Sequence, residues 1–130
     1  MKPAIAEARR TLPQFWAKVD SHPSGFNQPL VKVGFPTQHG GIEFFWMAVE
    51  DHSATTVRGI LLNDPEDVPS VRAGQEFTLP TIRIVDWSYL RGGKYFGQFT
   101  TRILLRTADA KRQREEGGSL SPTPLEPGVH

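Results

Sequence analysis

Two carboxylates lie in apolar, strand-like parts of the sequence, where an acidic residue is unexpected and could contact a ligand or take part in catalysis. Glu43 is the only charged residue in the apolar run Ile42–Val49, and Asp86 follows a second strand-like run. A carboxylate inside a folded domain must be hydrogen-bonded or paired, because burying an isolated charge is costly. For Glu43 the candidate partners are Arg83 and Arg102; for Asp86 they are backbone N–H groups of the following turn. A ligand contact is the alternative for each acid, and general acid/base catalysis is another.

Other residue types that support catalysis or metal binding lack the necessary spacing. His39 precedes Glu43 by four residues, but Gly40-Gly41 lies between them, which predicts a surface turn before a strand. The remaining histidines show no metal-ligand spacing, and no serine lies in Gly-x-Ser-x-Gly. The sequence has no cysteine. We therefore predict no catalytic residue, no metal site and no cofactor.

The segment Ile82–Arg102 is the most strongly patterned part of the sequence. Two β-prone runs flank Gly92-Gly93, which predicts a hairpin, because glycine readily adopts the positive φ angles of tight turns. Basic and aromatic residues lie together here: Tyr89, Arg91, Lys94, Tyr95 and Phe96. This mixture can stack on nucleic-acid bases, but it also fits ordinary cross-strand pairs, so both interpretations stay open.

A long connection follows the third predicted strand. It extends from Asn63 to Gly74 and begins with a proline-punctuated acidic segment, Asn63 to Val68. Surface loops of this kind often carry binding contacts. Asn63 and Asp64 are therefore candidate binding residues.

The remaining pattern predicts the elements that position these residues. The Thr-x-x-Gln spacing at Thr11 predicts the start of a helix, and an apolar stripe from Leu12 to Val19 indicates that this helix packs on a sheet. Three strands at short spacing then favour an antiparallel meander, with both faces of Ile42–Val49 covered. A last helix is predicted from Thr100 or Thr101 to about Arg114.

These elements predict an α+β fold: an N-terminal helix packed on a strongly bent antiparallel sheet of five or six strands, with a C-terminal helix. The pattern does not say whether the sheet closes into a barrel. We predict a single domain over residues 1–108, followed by a polar helix end and disordered tail over residues 109–130. The tail has little apolar surface to bury.

Composition limits the classes of partner. The chain has 130 residues, with 15 Lys and Arg against 14 Asp and Glu, so its net charge of +1 provides no large field for nucleic acid or an anionic membrane. No apolar run is long enough to span a bilayer, and the N-terminus lacks the long apolar stretch of a secretion signal. We expect a soluble, cytoplasmic protein with no membrane partner.

Several motifs, in a fixed order, resemble those of one bacterial family. They are Thr11–Trp16, Glu43 with Trp46, Gly59-x-Leu61-x-Asn63-x-Pro65, Asp86-Trp87, Gly-Lys-x-x-Gly at Gly93–Gly97, and Thr101-Arg102. Between Ala4 and Arg106 the chain thus resembles the YegJ-like family of unknown function (domain of unknown function 2314). The resemblance implies the fold and the extent of the domain, and it implies no activity. The polar tail is not part of the family pattern.

The leading functional prediction is a non-enzymatic protein-binding module, an inhibitor or immunity-type partner of another bacterial protein. The alternative is a binder of single-stranded nucleic acid or a small ligand at the Trp87–Phe99 hairpin face. A third hypothesis is an enzyme that uses Glu43 or Asp86. The oligomeric state is left open. The predicted binding residues are Glu43, Asn63, Asp64, Asp86, Trp87, Tyr89, Lys94, Tyr95 and Arg102.

Overall fold

The computed structural model describes residues 2–106 and 118–127. Within these residues the chain forms α-helices, strands and one short 3-10 helix. In order they are α1 (Lys2–Arg10), α2 (Leu12–Ser21), β1 (Asn27–Pro36), β2 (Ile42–His52), β3 (Thr56–Leu61), β4 (Glu76–Pro80), the 3-10 helix (Thr81–Arg83), β5 (Ile84–Arg91), β6 (Lys94–Gly97) and α3 (Phe99–Arg106).

The strands form one six-stranded sheet in the order β4-β3-β2-β1-β5-β6. The pairs β1–β2, β2–β3, β3–β4 and β5–β6 are antiparallel. The predicted α+β class is confirmed, with six strands, and the sheet stays open because β4 and β6 are its edges. The chain divides into two compact units: unit 1 comprises Met1–Pro29 and Asp86–His130, and unit 2 comprises Leu30–Val85.

Unit 2 is built on the period-two alternation of its strands. Val31 and Val33 of β1 pair in register with Met47 and Phe45 of β2, and all four side chains are buried on one face. β3 and β4 add further apolar residues to that face. The opposite face of β2 is different, because Ile42 and Phe44 are exposed. The prediction that both faces of this strand are covered is wrong at those two positions.

In unit 1, Thr11 lies at the junction between α1 and α2. α2 begins at Leu12, where the sequence predicts it, but the Thr11 side chain makes no capping bond to α2. Its hydroxyl instead donates to the carbonyl oxygen of Glu7, 2.8 Å away, and accepts from the indole N–H of Trp87. The predicted capping box is therefore corrected: this buried threonine joins α1 to β5.

The predicted hairpin is confirmed, with β5 and β6 in register from Arg91 and Lys94 outward. Its turn is Gly92-Gly93, where φ is +60° and +76°. Positive φ at both positions is the requirement that favours glycine in a two-residue turn. The first strand starts later than predicted, because Thr81–Arg83 forms the 3-10 helix.

The last described residues of the chain make contacts with the rest of unit 1. Residues 118–127 pack along unit 1, and Leu120 forms a parallel bridge with Tyr95. The predicted disordered tail over residues 109–130 stays a prediction, and residues 109–117 and 128–130 lie outside the described residues. Helix α3 is described as far as Arg106, so its predicted extension to Arg114 lies outside the described residues. The prediction of one domain over residues 1–108 stays a prediction.

Candidate functional site

The exposed face of unit 2 carries a shallow apolar depression of about 430 Å³. Three large apolar side chains at its rim are strongly exposed: Ile42 by 63%, Phe44 by 43% and Ile82 by 69%. Pro36 and Val85 also line it. Isolated exposed apolar residues are common on protein surfaces, whereas several converging on one depression are typical of a contact site. We call these five residues the apolar patch.

The depression exists because Gly34 has no side chain. Gly34 pairs with Phe44 across β1 and β2, and a Cβ there would come within 2.8 Å of the Ile42 side chain and 3.1 Å of the Phe44 ring. Arg83 fixes the wall, since its Nε and Nη2 donate to the Gly34 carbonyl oxygen at 3.2 and 2.6 Å. The patch is thus apolar, preformed and bordered by a guanidinium group.

A second cation lies on the same face as the patch. The ammonium group of Lys32 is 5.8 Å from the centre of the Trp46 ring, and the two residues are direct partners in the β1–β2 register. Lys32 and Arg83 therefore give this face a positive border. The sequence analysis did not predict this site, because Ile42 and Phe44 alternate along the strand like core residues. The residue that could have indicated the depression is Gly34, which lies opposite Phe44.

Glu43 lies on the face of β2 opposite the apolar patch, and it binds the loop that contains the acidic segment Asn63 to Val68. Its two carboxylate oxygens accept the backbone N–H groups of Glu66 and Asp67, both at 2.9 Å. The predicted pairing with Arg83 or Arg102 is therefore corrected, because Glu43 binds loop amides. Both oxygens of this carboxylate are engaged by the backbone, which leaves its predicted ligand contact without support in the geometry.

The other candidates on this loop are structural or exposed. Asp64 Oδ1 accepts the backbone N–H of Ala73 at 2.9 Å, which closes the loop, and Asn63 is exposed. Asp67 Oδ1 lies 2.7 Å from His39 Nδ1. The structure therefore brings His39 to Asp67, and Glu43 to the backbone of the same loop.

Asp86 is fully buried in unit 1 and binds the first turn of α3. Its carboxylate accepts the backbone N–H groups of Trp87, Phe99 and Thr100 and the Thr100 hydroxyl, at 2.6 to 3.1 Å. Burial raises the pKa of Asp86, against the hydrogen bonds from Thr100, Trp87 and Phe99, which act to lower it. The backbone-binding interpretation describes this residue: it caps a helix from a neighbouring strand.

Trp87 and Tyr89 are also inside unit 1. Their rings stack with centres 5.8 Å apart, and Trp87 stacks on Phe15 of α2 at 5.3 Å. With 1% and 2% exposure these side chains cannot serve as surface anchors in this structure. The two rings therefore pack inside unit 1, and their predicted contact role stays a prediction.

Lys94, Tyr95 and Arg102 contact the C-terminal segment of residues 118–127, which we call the tail strap. Lys94 Nζ donates to the Gly118 carbonyl oxygen at 2.7 Å. Arg102 donates to the carbonyl oxygen of Ser121 at 2.7 Å and to its hydroxyl at 2.9 Å. Burial lowers the pKa of Arg102, while the charge of Asp86 opposes this. These predicted binding residues thus bind a segment of the same chain.

Glu126 of the tail strap lies close to three donor side chains, and the sequence analysis did not predict that any of them pairs with it. Its carboxylate accepts the Tyr89 hydroxyl at 2.7 Å and the Arg91 guanidinium at 2.8 Å, and the Lys18 ammonium lies 3.5 Å away. Arg91 is itself oriented by a bond to the Ser24 carbonyl oxygen. We call Lys18, Tyr89 and Arg91 the carboxylate site.

The electrostatics of this site predict a pH dependence. Burial opposes ionisation of Glu126, but the hydrogen bonds from Tyr89 and Arg91 and the charge of Lys18 outweigh it, so the pKa is held below its ordinary value. A lowered pKa in the folded state means that the contact stabilises the protein above the ordinary carboxyl pKa and is lost as the pH falls through the lowered value.

We expect an NMR titration of the Glu126 carboxyl carbon to have its midpoint below about 4.3, the ordinary value for glutamate. The corresponding fall in stability should be absent from the Glu126→Gln variant, which has no group to titrate there. A midpoint at or above the ordinary value would contradict the described contact.

No cluster of three or more His, Cys, Asp or Glu side chains suited to a metal ion occurs within residues 2–106 and 118–127. Among the helices of that part of the chain, none is long and apolar enough to cross a membrane.

Comparison with known proteins identifies the family. The family profile described as "Uncharacterized protein conserved in bacteria (DUF2314)" matches residues 1–117. The "Uncharacterized protein YegJ" of Escherichia coli (strain K12) is 34% identical over 110 residues, which cover 82% of this chain and 68% of that protein. No solved structure matches. The resemblance in the motifs is thereby confirmed, and the chain belongs to the bacterial DUF2314 family of uncharacterized proteins.

Proposed function

We propose that this protein is a non-enzymatic protein-binding module whose contact surface is the apolar patch of unit 2. The observation that carries the proposal is the convergence of Ile42, Phe44 and Ile82 on one preformed depression. Exposed apolar area of this kind is unfavourable in water and becomes favourable when a partner covers it. The border formed by Lys32 and Arg83 favours a protein that presents an apolar side chain flanked by carboxylates.

The geometry supports this function better than catalysis. An acid/base enzyme would use Glu43 or Asp86, but the oxygens of both carboxylates are engaged with backbone N–H groups. A general base must reach the proton that it removes, and neither carboxylate lines the depression.

Nucleic acid or a small ligand at the Trp87–Phe99 hairpin face remains the alternative, with less support. Base stacking requires accessible rings, and Trp87 and Tyr89 are buried. Lys94, the exposed cation of the hairpin, donates to the tail strap. A titration with single-stranded oligonucleotides at low salt, using wild type and Lys94→Ala, tests this alternative directly.

An inhibitor or immunity-type role is the specific form of the proposal, in which the partner is another bacterial protein and the location is the cytoplasm. Such a role requires one partner, bound stoichiometrically, whose own activity falls when it is bound. The identity and activity of a captured partner therefore test the specific role, and cell fractionation tests the location.

We expect Ile42→Asp and Ile82→Asp each to weaken binding of the partner by about thirtyfold or more, as for central apolar contacts of interfaces. The partner is first captured from a lysate of the source bacterium with wild type, and purified partner is then titrated by calorimetry. Because both side chains are largely exposed, thermal unfolding of the variants should stay close to that of wild type.

Leu104→Asp provides the matched control. Leu104 is also an exposed large apolar residue, 43% exposed, but it belongs to α3 and does not line the depression. This variant should bind within about threefold of wild type, since peripheral substitutions have small effects. Binding that is equally strong in the patch variants, or no specific partner for the wild type, would defeat the proposal.

A further inference from the structure

The tail strap lies along the outer edge of β6 and forms one parallel bridge with it, between Leu120 and Tyr95. Tyr95 is at the centre of this contact: its N–H donates to the Ser119 carbonyl oxygen at 2.8 Å, and its own carbonyl oxygen accepts the Ser121 N–H at 2.9 Å. Farther along, the Gly97 N–H donates to the Pro124 carbonyl oxygen at 2.9 Å. Strand addition at a sheet edge is a general mode of recognising extended peptides, because backbone bonds supply affinity for many sequences.

Side chains of unit 1 make further contacts with the strap backbone. Lys94 donates to the Gly118 carbonyl oxygen and Arg102 to the Ser121 carbonyl oxygen, both at 2.7 Å. Such contacts with main-chain oxygens do not depend on the side chains of the bound segment. They would hold any extended chain that follows the same path.

Selectivity comes from the carboxylate site. The Tyr89 hydroxyl and the Arg91 guanidinium donate to separate oxygens of Glu126, with Lys18 nearby. Charge-assisted bonds of this type are about twice as strong as neutral ones. The site therefore favours an acidic side chain over a neutral one at a fixed distance along the bound segment.

The tail strap has a sequence and contacts that suit it to exchange with another extended segment. Residues 119–127 read Ser-Leu-Ser-Pro-Thr-Pro-Leu-Glu-Pro, with three prolines and no aromatic residue. Its described contacts are mainly polar, and none of its apolar side chains is fully buried. Segments with few buried apolar contacts open at low free-energy cost, and proline-containing segments lose little entropy when they bind in extended form.

We propose that the edge of β6 and the carboxylate site together form a binding groove for an extended, proline-containing acidic segment of a partner protein, and that the tail strap occupies this groove as an internal competitor. The groove belongs to unit 1, so the inference does not depend on the apolar patch of unit 2. A partner segment would replace the strap by making the same backbone bonds and placing a carboxylate between Tyr89 and Arg91.

The test uses a fluorescent peptide with the sequence of residues 118–127 and the full-length protein. The Glu126→Gln protein should bind this peptide about tenfold more tightly than wild type, because its own strap has lost a charge-assisted contact and competes less. Fluorescence anisotropy gives both dissociation constants. A Glu66→Gln protein, altered at an exposed glutamate of unit 2, should bind like wild type.

Two results would overturn the proposal. The first is equal or absent binding of the peptide to the wild-type and Glu126→Gln proteins, which would mean that the strap is a permanent part of unit 1. The second is that a peptide with glutamine in place of its glutamate binds as tightly as the original peptide. This result would mean that the carboxylate site does not contribute to recognition. Gel filtration should give the same apparent mass with and without peptide, since the bound segment replaces the strap within one copy.

Discussion

Replacing Trp87 by alanine should destabilise the protein by about 4–5 kcal/mol, as for large aromatic residues in a core. The indole is 1% exposed and stacks on Phe15 and Tyr89. Its N–H donates to the Ala8 carbonyl oxygen and the Thr11 hydroxyl, at 3.2 and 3.1 Å. Alanine would leave a cavity and two acceptors short of a donor. Urea denaturation gives the change in the free energy of unfolding.

Two further variants separate the contribution of core packing from that of the indole N–H and from the general effect of removing a tryptophan. Trp87→Phe keeps most of the packing and removes the indole N–H, so we expect a loss of about 1–2 kcal/mol. Trp46→Ala is the matched control, because Trp46 is only half-buried, on the exposed face of β2. Its loss should be about 1–2 kcal/mol, from partial burial. Equal losses for Trp87→Ala and Trp46→Ala would contradict the described core of unit 1.

Sequence patterns predicted the strands and the hairpin because the features that specify these elements lie within short segments of the chain. The alternation of Val31, Val33 and Phe35 along the sequence matches the buried face of β1, and Gly92-Gly93 predicted the hairpin. These features follow from the period of a strand and from the backbone freedom of glycine, both of which a short segment contains.

The candidate sites could be predicted less well, because they depend on contacts between distant residues. Apolar residues alternate on both sides of β2, so the pattern alone could not say that Ile42 and Phe44 remain exposed. Glu43 was recognised as an acid that needs partners, but its partners are backbone amides more than twenty residues away. No composition rule identifies such donors.

The contacts of residues 118–127 could not be predicted from the sequence, and the cause is physical. A segment with little apolar surface is expected to be disordered when hydrophobic burial is the only driving force considered. The strap is held instead by an unpaired sheet edge and by donors that converge on Glu126. Edge strands offer such backbone groups to any extended chain, but they are recognisable only after the sheet order is known.

Replacing Asp86 by alanine should cost about 3–5 kcal/mol, because it leaves several buried donors without an acceptor. The donors are the backbone N–H groups of Trp87, Phe99 and Thr100 and the Thr100 hydroxyl. Two of these N–H groups belong to the first turn of α3, so the loss should be greatest in that helix. The free energy of unfolding and amide exchange of α3 measure the two effects.

Matched substitutions distinguish this capping role from a general effect of removing an acid. Thr100→Val removes only the hydroxyl donor and should cost about 1 kcal/mol. Asp64→Ala removes an exposed aspartate that also accepts a backbone N–H, and should likewise cost about 1 kcal/mol or less, because water can replace that acceptor. Faster exchange in α3 should accompany Asp86→Ala and be absent from Asp64→Ala. If Asp86→Ala costs no more than Asp64→Ala, Asp86 does not hold α3 to β5, and its buried carboxylate would again need a functional explanation.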